Sequence, residues 1–209
     1  GKYTGMSPYY LCDENGQLME NLWQFAKVYK TVPDIKVRRG RWDPTIIWEW
    51  GDETHLDDNG DLTPEYWSWR ENGMKAKEPI RYPVGFKYRT KCVGAYAYNE
   101  DGDSYVGPLD YIESRKEIYL PVYTKLVEKT PEFALLKERY KNGENLLIVD
   151  VDGPVQDSMD YYKETYGVPD DWIDQNSIEV TQENMDILLN DEKHPFGHGY
   201  CLALALQKE

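Results

Sequence analysis

Two carboxylates stand directly after an apolar run, in residues 145–158, which read NLLIVDVDGPVQDS. Residues 145–151 have the pattern of a short buried strand, in which Asp150 lies near the end and Asp152 follows two residues later. Carboxylate oxygens are the ligands that Mg²⁺ prefers, so the pair is a candidate magnesium site. Apart from this pair, we expect no metal site and no cofactor.

The same stretch resembles the nucleophile loop of haloacid-dehalogenase-type phosphatases. That resemblance implies that Asp150 attacks a phosphate and that Asp152 handles the leaving-group proton. Such a fold also needs a doubly wound sheet, with further catalytic residues at the ends of later strands. Fewer than sixty residues follow Asp150, and Pro154 stands where the family usually has threonine. A magnesium-dependent phosphatase is therefore the least favoured of the functions considered.

A second constellation lies in residues 19–30, MENLWQFAKVYK, whose apolar residues recur at helical spacing. Glu20 and Lys27 are seven residues apart, so two helical turns would place them on the same face. Asn21 and Trp23 lie between them. A carboxylate, an aromatic plane and an ammonium on one face suit a nucleobase and a phosphate. The alternative is an ordinary charged surface helix.

A third group lies in NDEKHPFGHGYCLAL, near the C-terminal end. Asp191 and His198 supply groups for acid–base chemistry, and Gly197 and Gly199 precede an apolar helix. Glycines at a helix start let backbone N–H groups approach a ligand, and the helix dipole favours an anion there. A zinc site over the histidines and the cysteine is not expected, because a proline and two glycines interrupt any regular helix.

The order of elements predicts an α+β fold, formed by one mostly helical domain over residues 1–209 with a small sheet or β-hairpin. The hairpin is expected over residues 92–107, and residues 40–90 are rich in turns and are interpreted as an insertion or lid. Further helices are predicted over residues 113–127, where Pro121 breaks or kinks the helix, and at four later positions: residues 131–141, residues 157–167 ending at Gly167, residues 181–191 with Thr181 as the cap, and the C-terminal apolar run.

Charge and composition limit the partners. The formal net charge is −14, so we do not expect a long duplex nucleic acid as the ligand. Positive charge concentrates in residues 36–42, which suits a compact phosphorylated ligand, although a solvated surface explains it equally well. No stretch approaches the roughly 20 apolar residues of a membrane span. Three cysteines in no CxxC pair indicate reduced thiols, so we expect a cytoplasmic protein without a signal peptide.

Taken in order, three stretches resemble the NADAR superfamily. MENLWQFAKVY is similar to the family's helix that carries Glu, an aromatic residue and a Lys seven positions after the Glu. Residues 113–153 resemble its central run, in which two helices lead through a Gly-containing turn into a strand ending in an acidic residue. The end resembles its closing Asp, Trp-Gly-x-Gly loop and apolar helix, with Phe196 in place of Trp. Residues 40–88 of this chain have no counterpart in the family. The family's later Gly-x-Asn-x-Leu-Gly element is missing or contracted in this chain.

The resemblance implies an N-glycosidase that hydrolyses a ribose–base bond in an ADP-ribose conjugate or a riboflavin precursor. It implies that Glu20 or Asp150 acts as general base or stabilises the cation, and that Asp191 or His198 assists the leaving group. The expected substrate is a nucleotide-like or ADP-ribosylated small molecule. A binding protein that sequesters such a ligand without turnover remains open, as does a purely structural protein.

The resemblance also implies a set of ligand-binding residues. Lys27 and an arginine of the basic segment would hold phosphate, and a tryptophan would stack on the base. The full set of expected ligand-binding residues is Asn21, Trp23, Lys27, Arg39, Arg41, Trp42, Gly197 and Gly199.

Overall fold

The computed structural model describes residues 1–37, 48–98 and 104–208. The chain divides into two compact units, Gly1–Val122 and Tyr123–Glu209. Helices and small antiparallel sheets coexist, so the predicted α+β class is confirmed. The single domain and the insertion over residues 40–90 remain predictions.

The strands of the first unit are β1 Lys27–Tyr29, β2 Thr31–Val32, β3 Ile35–Val37, β4 Trp48–Trp50, β5 Glu53–Thr54, β6 Cys92–Tyr98 and β7 Tyr105–Leu109. The largest sheet described is antiparallel, with strand order β1-β6-β7. The predicted hairpin is confirmed by the pairing of β6 with β7, although residues 99–103 between them lie outside the described residues. Two further strand pairs are short: β2 with β5 and β3 with β4.

The first helix, α1, spans Met19–Gln24, so the prediction of a helix over residues 19–30 is wrong beyond Gln24. The chain instead forms β1, which pairs with β6 through Lys27↔Ala95. Val28 and Tyr29 are buried there, and β-branched and aromatic side chains fit a pleated, half-buried surface. Pairing with a distant strand therefore outweighs the local helical spacing.

Aromatic side chains fill the core of the first unit. Phe25 packs against Trp48 and Trp69 at ring-centroid distances of 4.9 and 4.6 Å. Helix α2, Pro64–Met74, carries Trp69 and comes so close that a Cβ on its Gly73 would lie 2.0 Å from the Phe25 ring. Much of the tryptophan-rich segment therefore packs inside this unit.

A continuous helical stretch follows β7. It consists of α3 Tyr111–Ser114, a π-helical turn over Arg115–Tyr119 and α4 Leu120–Val127. The predicted helix over residues 113–127 is thus confirmed. Pro121 leaves it continuous because the wider π turn directly precedes the proline, whose missing N–H does not suit a regular α turn.

The second unit is built from α5 Pro131–Lys141, α6 Met159–Tyr166, α7 Gln182–Asn190 and α8 His198–Gln207. The predicted ends hold well. Thr130 and Thr181 accept hydrogen bonds from backbone N–H groups of the first turns of α5 and α7, at 3.2 and 3.1 Å. Gly167 ends α6 with a φ of 68°, which favours glycine. None of the described helices is long and apolar enough to cross a bilayer.

The predicted buried strand over residues 145–151 is wrong. The segment pairs with no strand, and residues 123–208, all described, contain no strand element. Alternate side chains face solvent: Leu147, Val149 and Val151 are 78%, 86% and 97% exposed. Side chains alternate between two faces, as they do in any extended chain. One face packs against the second unit, and the other faces solvent because no neighbouring strand within this unit covers it.

Candidate functional site

Asp150 is fixed by backbone N–H groups. Its carboxylate accepts a hydrogen bond from the N–H of Gly199 at 2.6 Å and from that of Asp152 at 3.0 Å. Gly199 belongs to the first turn of α8, where the helix dipole favours a negative charge. With 6% of its side chain exposed, Asp150 is a held anion rather than a mobile surface carboxylate.

The glycines of the Phe-Gly-His-Gly stretch allow this approach. A Cβ on Gly199 would lie 2.6 Å from Oδ2 of Asp150, and one on Gly197 would lie 2.8 Å from it. Any side chain at either position would displace the carboxylate. The anion at this helix start is therefore one of the protein's own groups, and a ligand contact of the two glycines stays a prediction.

His198 is the neighbour of Asp150 that carries acid–base chemistry. Its Nδ1 lies 3.6 Å from Oδ2 of Asp150, and 41% of its side chain is exposed. The ring of Tyr123 lies 6.0 Å from the imidazole, and burial, with Cys201 and Asp150 nearby, raises the pKa of that tyrosine. The structure thus brings Asp150 and His198 together, and leaves the histidine in contact with water.

A cavity of about 560 Å³ lies beside Asp150. Its size is that of a typical small-molecule pocket. Its walls are largely apolar, with contributions from Leu146, Ile148 and Val155. Residues with amide or hydroxyl side chains also line it: Gln175, Asn176, Ser177 and Tyr200.

Asp191 is held differently, by side chains. Its carboxylate, 1% exposed, accepts the hydroxyl groups of Tyr161 and Tyr162 at 2.7 and 2.6 Å. It also accepts the backbone N–H of Lys193 at 2.9 Å and contacts Nδ1 of His194 at 2.6 Å. Burial alone would raise the pKa of Asp191, but these hydrogen bonds outweigh it and lower the pKa.

In the first unit, the predicted cluster of Glu20, Trp23 and Lys27 is shared between α1 and β1 and does not lie on a single helix face. Gln24 of α1 donates to Glu20 at 2.9 Å, and Lys27 of β1 donates to Gln24 at 2.9 Å. The Lys27 ammonium lies 5.0 Å from the Trp23 ring centroid. Burial lowers the pKa of Lys27, against the opposing effects of Cys92 and Glu20.

Asn21 has a structural role in this unit. The side chain is fully buried, and its amide donates to the carbonyl groups of Ala76 and Glu78 at 3.1 and 3.0 Å. Its oxygen accepts the N–H of Ile80 at 2.8 Å. These bonds fix the segment after α2 to α1, and the predicted ligand contact of Asn21 plays no part in the function proposed below.

Two predictions remain, the ligand-binding residues of the basic segment and the magnesium site. Arg39, Arg41 and Trp42 lie outside the described residues. Over the described ranges, no group of three or more His, Cys, Asp and Glu residues is placed to hold a metal ion. Magnesium at Asp150 and Asp152 therefore remains a prediction.

His194 lies in the same C-terminal stretch that drew attention to Asp191, but the contacts of Ser158, Tyr161 and Tyr162 with these two residues were not predicted. Ser158 Oγ lies 3.0 Å from Nε2 of His194, whose other ring nitrogen faces Asp191. The signal was the spacing of Ser158, Tyr161 and Tyr162, which places three hydroxyl groups on one face of a helix start. Nothing in that spacing indicates which distant turn the hydroxyl groups meet.

The chain was compared with protein-family models, with curated proteins and with solved structures, and none of the three comparisons gave a match.

Proposed function

We propose that the protein is an N-glycosidase-type hydrolase that cleaves the ribose–base bond of a nucleotide-like or ADP-ribose conjugate. The observation that carries the proposal is the buried Asp150 carboxylate, held by two backbone N–H groups beside a cavity and 3.6 Å from His198. Cleavage of a ribose–base bond passes through a cation-like sugar, which a fixed carboxylate stabilises.

The hydrogen bonds to Asp150 matter because they hold the carboxylate in place before the reaction. Groups that need no reorganisation stabilise a developing charge far better than mobile ones do. Asp150 would stabilise the positive charge of the sugar and orient the attacking water. His198, which reaches both Asp150 and solvent, would protonate the departing base.

The cavity supports a planar, partly polar ligand. Apolar walls accept the faces of a nucleobase, and the Gln175 amide and the Asn176 NH₂ group suit its hydrogen-bonding edge, the Asn176 oxygen already accepting the N–H of Gln156. The net charge of −14 favours a small ligand over a polyanionic duplex.

The cluster of the first unit independently supports nucleotide binding. Lys27 is a half-buried ammonium beside the Trp23 ring. Burial lowers the Lys27 pKa, and a bound phosphate would offset that cost. Glu20, 8% exposed, is held through Gln24 and remains the second candidate carboxylate.

A phosphatase is less well supported. Haloacid-dehalogenase chemistry places its nucleophile at the end of a strand within a parallel sheet. Residues 123–208 form no strand, so Asp150 does not stand at the end of a strand in a parallel sheet. The same cavity is equally suited to ligand sequestration without turnover, so the test must separate binding from hydrolysis.

The test is mass spectrometry of the products formed from ADP-ribosylated nucleosides, including ADP-ribosylated guanosine, with and without a chelator. We expect free ADP-ribose, released in the presence of chelator, by the wild type and not by Asp150→Asn. The exposed Asp157→Asn variant is the matched control and should keep full turnover. Magnesium-dependent release of inorganic phosphate would establish the phosphatase instead. A thermal shift with ADP-ribose but no product would establish a binding protein.

A further inference from the structure

Ser158, His194 and Asp191 are aligned in the second unit as a relay of three side chains. Ser158 Oγ lies 3.0 Å from His194 Nε2, and His194 Nδ1 lies 2.6 Å from Asp191 Oδ2. We propose that these residues form a nucleophilic triad that takes the acyl group of an uncharged carboxylic ester onto Ser158. This site is separate from Asp150 and His198 and does not depend on the function proposed above.

The serine is oriented toward the histidine rather than toward its own helix. Ser158 is the N-cap residue of α6, where a serine normally accepts an N–H of the first turn. Its side chain makes no such capping bond, and its hydroxyl faces His194 instead. Ser158 as a residue is half-buried, so a small ligand can approach it.

The contacts of the histidine suit the tautomer that the relay needs. Nδ1 faces the carboxylate of Asp191, with the Tyr162 hydroxyl also 3.1 Å away; in the proposed relay Nδ1 carries the proton, and the lone pair of Nε2 faces the Ser158 hydroxyl. Tyr162 stacks on the imidazole at a centroid distance of 5.2 Å, and Tyr161 contacts it edge-on at 5.2 Å. The two rings keep the imidazole from rotating away.

Asp191 is a positioning residue in this relay. It is 1% exposed and fixed by two tyrosine hydroxyl groups and a backbone N–H, in addition to the histidine. A buried carboxylate of this kind stabilises the imidazolium that forms when the histidine takes a proton. It does not touch the substrate.

The proposed ester hydrolysis needs only the ester, water and these side chains. The oxygen of Ser158 attacks the ester carbonyl carbon, forming a new C–O bond, while His194 Nε2 takes the hydroxyl proton. The bond to the alcohol breaks, and the proton passes from His194 to the leaving alkoxide. Water then attacks the acyl-serine, with His194 taking and returning the proton. The net charge of −14 favours an uncharged ester over an anionic one.

The experiment treats the full chain with a fluorophosphonate, a probe that forms an Oγ–P bond while fluoride leaves. Intact mass and peptide mapping then locate the adduct. We expect one adduct per chain, on Ser158, and none on protein unfolded in urea. An adduct on other residues, or none on the folded chain, would overturn the proposal. Because the mapping uses the wild type, it remains decisive even when a variant does not fold.

Variants assign the roles. Ser158→Ala should abolish labelling, His194→Gln should slow it at least about 100-fold, and the exposed Ser68→Ala control should label like the wild type. Thermal unfolding checks that each variant is folded. Labelling that survives Ser158→Ala would refute the assignment.

The role of Asp191 needs a kinetic readout. Asp191→Asn, compared as a folded protein, should lower the maximal labelling rate while leaving the half-saturating probe concentration unchanged, because the orientation of His194 and the stabilisation of its imidazolium are lost but no probe contact is. Hydrolysis of p-nitrophenyl acetate should fall in parallel. An unchanged maximal rate would mean that the contacts of Asp191 serve only stability.

Discussion

Asp150 and Asp191 are two buried carboxylates of the same unit, yet they are held by different means. Asp150 receives backbone N–H groups at the start of α8, and it lies beside a cavity. Asp191 receives side chains, chiefly Tyr161, Tyr162 and His194, and is sealed from solvent. The first arrangement leaves a charge ready for a ligand, whereas the second uses a charge to fix its neighbours.

Glycine and tyrosine stabilise a buried charge in different ways. Backbone donors need close approach, so the Asp150 site depends on Gly197 and Gly199. Hydroxyl donors reach outward from a helix, so the Asp191 site tolerates ordinary backbone but needs two tyrosines one position apart. Stability should therefore depend more on Asp191, and turnover more on Asp150.

The largest expected effect on stability comes from Asp191→Ala. Removing the carboxylate leaves buried donors without an acceptor, so we expect a loss of about 3–5 kcal/mol in the free energy of unfolding. Urea unfolding followed by circular dichroism measures it. The exposed Asp171→Ala control should change stability by less than about 0.5 kcal/mol. A loss no larger than that of Asp150→Ala would contradict the stronger structural role of Asp191.

Asp150→Asn should act on turnover instead. The amide keeps the shape of the side chain but removes its charge, so we expect at least about a 100-fold loss in kcat for release of ADP-ribose. Steady-state assays by mass spectrometry measure the loss. If the variant loses stability rather than turnover, the carboxylate is structural, like Asp191.

Gly199→Ala tests the close approach itself. The added methyl group would lie 2.6 Å from Asp150, so the carboxylate or the first turn of α8 must move, at about 1–3 kcal/mol. Thermal unfolding and turnover should both decrease. Gly51→Ala is the matched control, because a Cβ there meets no atom within 4 Å. Equal stability of the two variants would contradict the contact.

The smallest effect is expected for Tyr161→Phe, which removes one donor to Asp191. At neutral pH we expect a loss of about 1 kcal/mol. The pKa of Asp191 is lowered in the folded state, so its contribution is present above the unfolded pKa, about 3.9, and is lost as the pH falls through the folded value. Urea unfolding from pH 7 to pH 2 should therefore show the wild type and the variant converging in acid. A stability difference that stays constant from pH 7 to pH 2 would mean that the lost stability does not come from the charge of Asp191.

Local signals in the sequence correctly predicted several helix ends. Thr130 with Pro131, Thr181 and Gly167 mark helix ends through bonds within one turn. The helix predicted over residues 19–30 failed because pairing of β1 with β6 joins residues that lie more than sixty positions apart. Local periodicity carries no information about such a partner.

The candidate site was predicted only in part, because local patterns do not show which distant residues meet. Asp150, His198, Gly197 and Gly199 stand out as residue types, and the structure brings these four together, although by a route the predicted strand did not indicate. The relay around Asp191 was missed because Ser158 and His194 are thirty-six residues apart. Only the packing of α6 against the turn before α8 reveals it.

The exposed face of residues 145–151 also affects how the protein behaves in concentrated solution. Leu147, Val149 and Val151 project from an extended segment with no neighbouring strand in its unit, which is the chemistry of an aggregation-prone edge. Copies are kept apart by their shared charge of −14, and that repulsion is screened within about 3 Å at 1 M salt. Solubility should therefore fall as salt rises, and Val149→Lys should restore it, as light scattering across a salt series would show.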